Sequence, residues 1–165
     1  MCIRDRSDTL EFRSPTTTKY DKEVALSLAK DLDIDLSILA TKMFEAKSDV
    51  SKISDESLIK MDSKQFEISG KELRISVLET TSPNTILKRK KSLINAMPKI
   101  IEDEGLDEIL LFIVDILNEE STLLIPNENT REIAKKSFNV KSSEDFIKLP
   151  GVVSRKKQII PNIKI

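Results

Sequence analysis

The sequence predicts an α/β fold, a mixed β-sheet with helices packed on it in a single domain, and three observations predict it. Apolar residues alternate through "QFEIS" (65–69) and "ELRISVLET" (72–80), as is typical of strands. The run "ILLFIV" (109–114) is short, apolar and rich in branched side chains, as expected of a central strand covered on both faces. Segments with helical periodicity lie before, between and after these strands, and such interleaving favours helices layered on a sheet.

The first part of the chain predicts three helices. The first begins near Thr18, where Asp21 gives a weak capping pattern, and the second begins near Leu36. Ser54 is expected to cap a short third helix. Apolar residues recur at three- and four-residue spacing in the first two helices: Val24, Ala25, Leu28, Ala29 and Leu32, then Leu36, Leu39, Ala40, Met43 and Phe44.

The two alternating segments predict a hairpin, with Gly70–Lys71 as its turn. Ser82–Pro83 then opens a long helix, since serine is a favoured cap and proline fits the first helical position. That helix is expected to stop at Gly105 and to bend at Pro98, because a proline inside a helix removes a hydrogen bond.

The rest of the chain predicts two more strands and a helix. "TLLI" (122–125) is expected to form a strand that Pro126 ends, and a helix is expected over about 129–138. "DFIKLPGVVSRKKQII" (145–160) is expected to form short strands around a Pro150–Gly151 turn.

Composition excludes several classes of protein. Histidine is absent from the 165 residues, so this chain holds no Ser-His-Asp triad, no Cys-His pair and no histidine metal ligand. The net charge is −1, so any attraction for anions must be local. The single cysteine, Cys2, suits a reducing compartment. No stretch approaches the length of a membrane span, and "MCIRDRSDTL" lacks the apolar core of a signal peptide.

Two charged segments have structural interpretations. Four consecutive cations in "LKRKK" (87–91) spread around a helix without interleaved aromatics, which indicates a solvated helix surface rather than a nucleic-acid site. "EDEGLDE" (102–108) lacks the spacing of a calcium loop and is interpreted as a helix end and loop.

"SRKKQ" (154–158) is a third charged segment, and its setting is unusual. Apolar residues flank it on both sides, although a charge run is more often a solvated strand end. Arg155 has the planar fork that suits two phosphate oxygens, and Lys156 would add a point charge beside it. Neighbours on a regular strand point to opposite faces, so joint action of these two residues requires a loop or a distorted strand end.

Four segments together carry a family resemblance: "SDTLEFRSPTTT" (7–18), "MDSKQFEISGK" (61–71), "DEILLFIVDIL" (107–117) and "LPGVVSRKKQIIP" (149–161). They resemble the C-terminal half of the manganese-dependent (family II) inorganic pyrophosphatases of the DHH phosphoesterase superfamily. The resemblance covers about residues 7–161. It implies that residues 7–18 end the catalytic DHH domain and form a linker, and that residues 19–165 form the DHH-associated substrate-binding domain. "MCIRDR" (1–6) fits neither part and is interpreted as a non-native or truncation scar; the alternative is a natural polar N-terminus.

The resemblance also implies a site. Lys64, Arg155 and Lys156 match the family's substrate-binding cations, and Asp8 matches a metal-ligand aspartate. Mn²⁺, or Mg²⁺, would be coordinated mostly by the N-terminal domain, so no catalytic residue is expected within this chain alone. Lys64 and Asp8 are assigned by the family match only.

The implied activity is hydrolysis of pyrophosphate to two phosphates in the cytoplasm, with this chain as an incomplete, inactive fragment. Homodimers are expected of the full-length protein, and neither nucleic acid nor membrane is an expected partner. Two alternatives stay open: a fragment of a DHH-family exopolyphosphatase, and a non-catalytic phosphate- or polyphosphate-binding module.

Overall fold

The computed structural model describes residues 18–32, 34, 35, 38, 50, 52–140 and 143–165. The chain divides into two compact units, Met1–Asp49 and Val50–Ile165. In the first unit, helix α1 spans Lys19–Asp31, which confirms the first predicted helix. The apolar stripe predicted from Leu36 to Phe44, the segment 1–6 and Asp8 lie outside the described residues.

The second unit is built on a mixed sheet, which has five strands in the part of the chain that the structure describes. They are β1 (Ser63–Ile68), β2 (Lys71–Thr80), β3 (Glu108–Asp115), β4 (Glu120–Leu124) and β5 (Phe146–Pro150), in that spatial order. β2 and β3 run parallel, because helices cross over between them, and the other neighbouring pairs are antiparallel. The predicted α/β class with a mixed sheet is confirmed.

The predicted hairpin is confirmed, with its turn one residue earlier than expected. Ser69 and Gly70 have φ values of 54° and 75°, so both central residues of the turn are left-handed. Such a two-residue turn matches the twist of the flanking strands. It sets a register in which Lys64 is opposite Ile75 and Phe66 is opposite Leu73.

β3 is the predicted central strand, and all eight of its residues are buried. Its side chains alternate between two apolar layers. Leu110, Phe112 and Val114 join the layer that we call the C-terminal face, whereas Ile109, Leu111 and Ile113 join the helical face. The continuous apolar run therefore reflects a strand covered on both sides.

Three helices supply the helical face: α2 (Asp55–Lys60), α3 (Pro83–Leu87) and α4 (Lys90–Glu104). Ser54 caps α2 as predicted, since its side chain accepts a hydrogen bond from the Ser57 amide. The single long helix predicted from Pro83 is wrong: the chain leaves helical geometry at Arg89, where φ is −92° and ψ is 5°. Pro98 lies within α4, which continues to its predicted stop at Gly105.

Helix α5 (Glu128–Phe138) and the last residues of the chain cover the C-terminal face. The strand predicted around residues 155–160 is wrong, because a π-helical turn (Arg155–Ile159) and a 3-10 turn (Ile160–Asn162) stand there. The Ser154 carbonyl accepts hydrogen bonds from the Gln158 and Ile159 amides, which curls the backbone. Ile159 is fully buried within this turn.

None of the helices in the described part of the chain combines the length and the apolarity that crossing a membrane requires.

Candidate functional site

The candidate site begins with the turn that carries Arg155. β5 ends at Pro150, and Gly151 takes the left-handed conformation at φ 75°, which turns the chain back. Val152 and Val153 then pack against the C-terminal face. The Ser154 hydroxyl accepts a hydrogen bond from the Lys157 amide at 3.3 Å and so begins the π-helical turn. Apolar contacts on both sides of the cations therefore anchor this segment to the core.

The side chain of Gln158 closes this turn from within. Its Oε1 accepts hydrogen bonds from the amides of Val153 and Ser154, each at 2.9 Å, and its Nε2 donates to the Gly151 carbonyl at 2.6 Å. The side-chain amide of Gln158 thus forms hydrogen bonds with three backbone groups that precede Arg155. The backbone that presents Arg155 and Lys156 is held as a unit.

The guanidinium of Arg155 reaches across the fold to Asp62. Its Nη1 lies 2.8 Å from the Asp62 carboxylate and donates to the Asp62 carbonyl at 2.9 Å. That carbonyl also accepts from the Val77 amide at 2.9 Å, so it is fixed by the sheet. The contact joins positions 93 residues apart in sequence.

Lys64 stands two residues beyond Asp62, on the edge strand β1. It is opposite Ile75, a core residue of the C-terminal face, and side chains of directly opposed residues leave a sheet on the same side. Lys64 therefore lies on the face that the turn of Arg155 covers. Lys64 and Lys156 are exposed, and the Arg155 side chain is 17% exposed. The structure thus brings the segments of the three predicted cations together at one edge of the sheet.

Sequence reasoning missed Asp62 and Gln158. Both lie inside the two segments that carried the family resemblance, "MDSKQF" and "SRKKQ", so the signal was present. Neither residue type is distinctive at its position, and their hydrogen bonds depend on a turn that the sequence analysis expected to be a strand.

Metal-ligating side chains are not grouped in the part of the chain that the structure describes: no three among its Asp and Glu residues could together hold a metal ion. The described residues therefore do not fit a manganese site. Asp8, the predicted ligand, lies outside them.

The cations of "LKRKK" are not simply a solvated surface, and that interpretation is wrong for two of them. Arg89 donates to the Asp55 carboxylate and to the carbonyls of Val50 and Ile53, at 2.6–3.0 Å, and so clamps the segment before α2. Lys90 lies 2.6 Å from Asp145 and 4.8 Å from the ring centroid of Phe146. The hydrogen bond from Lys90 holds the pKa of Asp145 below its usual value. Lys88 and Lys91 are exposed.

"EDEGLDE" is confirmed as a helix end and loop. Glu104, in the last turn of α4, pairs with Arg74 on β2 and lies 3.0 Å from Lys60 at the end of α2. Burial raises the pKa of Glu104, but the hydrogen bonds from Lys60 and Arg74 outweigh it and leave that pKa below its usual value. Asp107 accepts a hydrogen bond from the Glu72 amide at 2.7 Å. These carboxylates therefore link α2, α4 and the loop that follows α4 to the sheet.

Comparison with known protein families finds one family model that covers most of the sheet unit. The model described as the DHHA2 domain matches residues 41–164. This chain belongs to the DHHA2 domain family. The match includes β1 to β5, Lys64 and the turn of Arg155.

Related proteins carry names that agree with the predicted resemblance. A probable manganese-dependent inorganic pyrophosphatase of Lactobacillus johnsonii is 38% identical over 156 residues, which are 94% of this chain and 50% of that protein. The manganese-dependent inorganic pyrophosphatase of Methanocaldococcus jannaschii is 36% identical over 159 residues, 96% of this chain and 51% of that protein. The DHHA2 chain spans about half the length of the curated relatives it matches.

A solved structure agrees with the fold as well. A crystal structure named as a family II inorganic pyrophosphatase of Methanococcus jannaschii superposes with a TM-score of 0.68 at 37% identity, over 94% of this chain and 50% of that one. The predicted resemblance to the C-terminal half of these proteins is confirmed. The domain borders at residues 6 and 18 stay predictions.

Proposed function

We propose that this DHHA2 chain supplies the cationic substrate contacts of an inorganic pyrophosphatase, which hydrolyses pyrophosphate to two phosphates. One observation supports the proposal: Arg155 contacts Asp62, two residues before Lys64, so segments distant in sequence lie at one edge of the sheet. The names of the relatives, which include manganese-dependent inorganic pyrophosphatases, support the choice of substrate.

The three cations have complementary roles in this proposal. Pyrophosphate is a compact, highly charged anion, and transfer of one phosphoryl group needs positioning and charge neutralisation. Arg155 offers a planar, two-donor contact, whereas Lys64 and Lys156 act as mobile point charges on the other oxygens. Joint action of Arg155 and Lys156 needs irregular backbone, and the π-helical turn supplies it.

Mn²⁺ or Mg²⁺ would complete the reaction centre. When bound, such ions would supply Lewis-acid chemistry to the phosphoryl group and to an attacking water. We assign Asp8 as the ligand from this chain, and the other ligands would come from the half of the relatives that this chain does not match. We further propose that the protein acts in the cytoplasm, and that the full-length form pairs as a homodimer without nucleic acid or membrane partners.

A binding titration tests the substrate contacts. We expect pyrophosphate to shift the backbone signals of residues 62–64 and 154–157 in ¹H–¹⁵N NMR spectra of the chain. Arg155→Ala should weaken binding about 10- to 100-fold, since hydrogen bonds to charged groups contribute about 1.5–3 kcal/mol. Lys64→Ala and Lys156→Ala should weaken it less. Lys99→Ala removes an exposed cation of α4, on the helical face, and should leave binding unchanged. Equal effects of Lys99→Ala and Arg155→Ala would refute the site.

An activity assay tests the enzymatic assignment. The chain alone with manganese should release no phosphate from pyrophosphate, and robust turnover would contradict the proposed division of the site. A hybrid that joins this chain to the other half of the Methanocaldococcus jannaschii relative should hydrolyse pyrophosphate, and Arg155→Ala should reduce its rate. Tight, metal-independent binding by the chain with an inactive, folded hybrid would favour the binding module. Preference of the full-length protein for long polyphosphate would favour the exopolyphosphatase.

A further inference from the structure

Three arginines near the sheet and its helices differ in which edge of the guanidinium they use. Arg74 offers Nε and Nη2 together to the Glu104 carboxylate, and Arg89 offers the same two atoms to Asp55. In both residues, the Nε–Nη2 edge, whose two donors suit an oxyanion, is therefore occupied by a carboxylate of the fold.

Arg155 does the opposite. Its contacts to Asp62 both run through Nη1, one to the carboxylate and one to the carbonyl. Within the part of the chain that the structure describes, its Nε and Nη2 have no partner. The edge that Arg74 and Arg89 use for a carboxylate is thus left available at Arg155, although the side chain is only 17% exposed.

Asp62 is well placed to hold this arrangement. Its carbonyl is fixed by the Val77 amide, and its carboxylate is 53% exposed. The backbone on the other side of the contact is fixed by Gln158. With both backbones held, the remaining freedom lies in the long side chain of Arg155, and the ion pair and the hydrogen bond at Nη1 restrict it.

We infer that Asp62 is a positioning residue: by hydrogen bonding it occupies Nη1 of Arg155 and leaves the Nε–Nη2 edge for a phosphate group of the substrate. The inference rests on the proposed function and extends it to a residue that does not touch the substrate. It assigns a carboxylate to an anion site, where its charge alone would repel the ligand.

The experiment compares two variants of Asp62 in the whole chain. Asp62→Ala removes the carboxylate contact and leaves the backbone carbonyl contact, and we expect pyrophosphate to bind about fivefold more weakly, the effect of one lost contact of about 1 kcal/mol. Asp62→Asn keeps an oxygen that can accept from Nη1, so its affinity should return to within about twofold of the native chain. Glu67→Ala is the matched control, because it removes an exposed carboxylate from β1, the strand that follows Asp62, on the other face of the sheet.

Two readouts decide the result. Pyrophosphate affinity is measured by NMR titration, and the side-chain Nε–H and Nη–H signals of Arg155 report whether the guanidinium is held in the free chain. Asp62→Ala should broaden the Nη signals, because only the carbonyl contact remains, and Asp62→Asn should preserve them. Native affinity in Asp62→Ala would overturn the inference, as would an Asp62→Asn chain that binds as weakly as Asp62→Ala.

The two proposals fail in distinguishable ways. If pyrophosphate does not bind the native chain, the proposed substrate contacts fail, while the Arg155 signals of the free chain still test whether Asp62 holds the guanidinium. If pyrophosphate binds and Arg155→Ala weakens binding but Asp62→Ala does not, only the positioning role is refuted.

Discussion

Gln158 combines an acceptor and a donor in a single side chain, and the turn before Arg155 uses both. Its oxygen serves two amides and its nitrogen serves one carbonyl. Glutamate has the same length but cannot donate when ionised, and alanine can do neither. The geometry of the candidate site therefore depends on the chemistry of one uncharged residue among three cations.

Substitution of Gln158 should separate these contributions. Gln158→Glu should lower the free energy of unfolding by about 1 kcal/mol, because the Gly151 carbonyl loses its donor and faces a negative charge. Gln158→Ala should cost more, about 2 kcal/mol, because two amides lose their acceptor. Urea unfolding at neutral pH measures both, with the exposed Lys157→Ala as control. A Gln158→Glu chain as stable as the native one would contradict this role.

The ends of the helices follow local chemistry. Ser54 and Asn127 each cap a helix by accepting a hydrogen bond from an amide three residues on. At the C-terminal ends, Gly105 closes α4 with φ 64° and Asn139 closes α5 with φ 52°. Glycine and asparagine are the residues that tolerate this left-handed conformation, so these stops are readable from sequence.

Gly105 offers a test of that argument. A Cβ at this position would meet no heavy atom within 4 Å, so the cost of a side chain is the backbone conformation alone. Gly105→Ala should destabilise the chain by about 1–2 kcal/mol, and Gly105→Asn should cost less, as Asn139 suggests. The midpoint of urea unfolding measures the difference, at an unchanged denaturant slope. An alanine variant as stable as the asparagine variant would show that backbone strain is not the determining factor.

At the scale of the whole molecule, the sheet unit (Val50–Ile165) is held by two apolar layers and by ion pairs that link its elements. Glu104 is the centre of the largest such group among the residues that the structure describes, since it joins α4 to Lys60 at the end of α2 and to Arg74 on β2. Lys60 also pairs with Glu56 at 2.7 Å. The hydrogen bonds from Glu56 and Glu104 raise the pKa of Lys60, and the hydrogen bond from Lys60 lowers the pKa of Glu56.

This group predicts a pH dependence of stability. The pKa of Glu104 is lower in the folded chain than its ordinary value of 4.5, so the unfolded chain binds a proton more readily. The contribution of Glu104 is therefore fully present above about pH 4.5 and is lost as the pH falls through its folded pKa. Glu104→Gln should be less stable at pH 7, by on the order of 1 kcal/mol, and should lose less stability below pH 4.5.

Thermal unfolding between pH 3 and pH 7 measures this effect. Glu102→Gln removes an exposed carboxylate of the same helix and serves as control. An acid transition that is as steep in Glu104→Gln as in the native chain would contradict the assignment.

Much of the fold could be predicted because its determinants are local. The apolar run of β3, the alternation of β1 and β2, and the caps at Ser54 and Gly105 each encode a period or a backbone conformation within a few residues. The break at Arg89 could not be predicted, because it depends on Asp55 and on carbonyls more than 30 positions away. Lys64 was identified by resemblance alone, since an exposed lysine on an edge strand carries no pattern of its own.

The sequence by itself determined the class of fold, the order along the chain of most of its strands and helices, and the family to which the chain belongs, because periodicity, turn chemistry and short motifs are properties of neighbouring residues. Only the tertiary structure decided that "SRKKQ" forms a π-helical turn, and that Asp62 contacts Nη1 of Arg155, which is 93 residues away in the sequence. The physical reason is that such a contact requires the register of the sheet, the packing of Ile159 and the bonds of Gln158 at the same time.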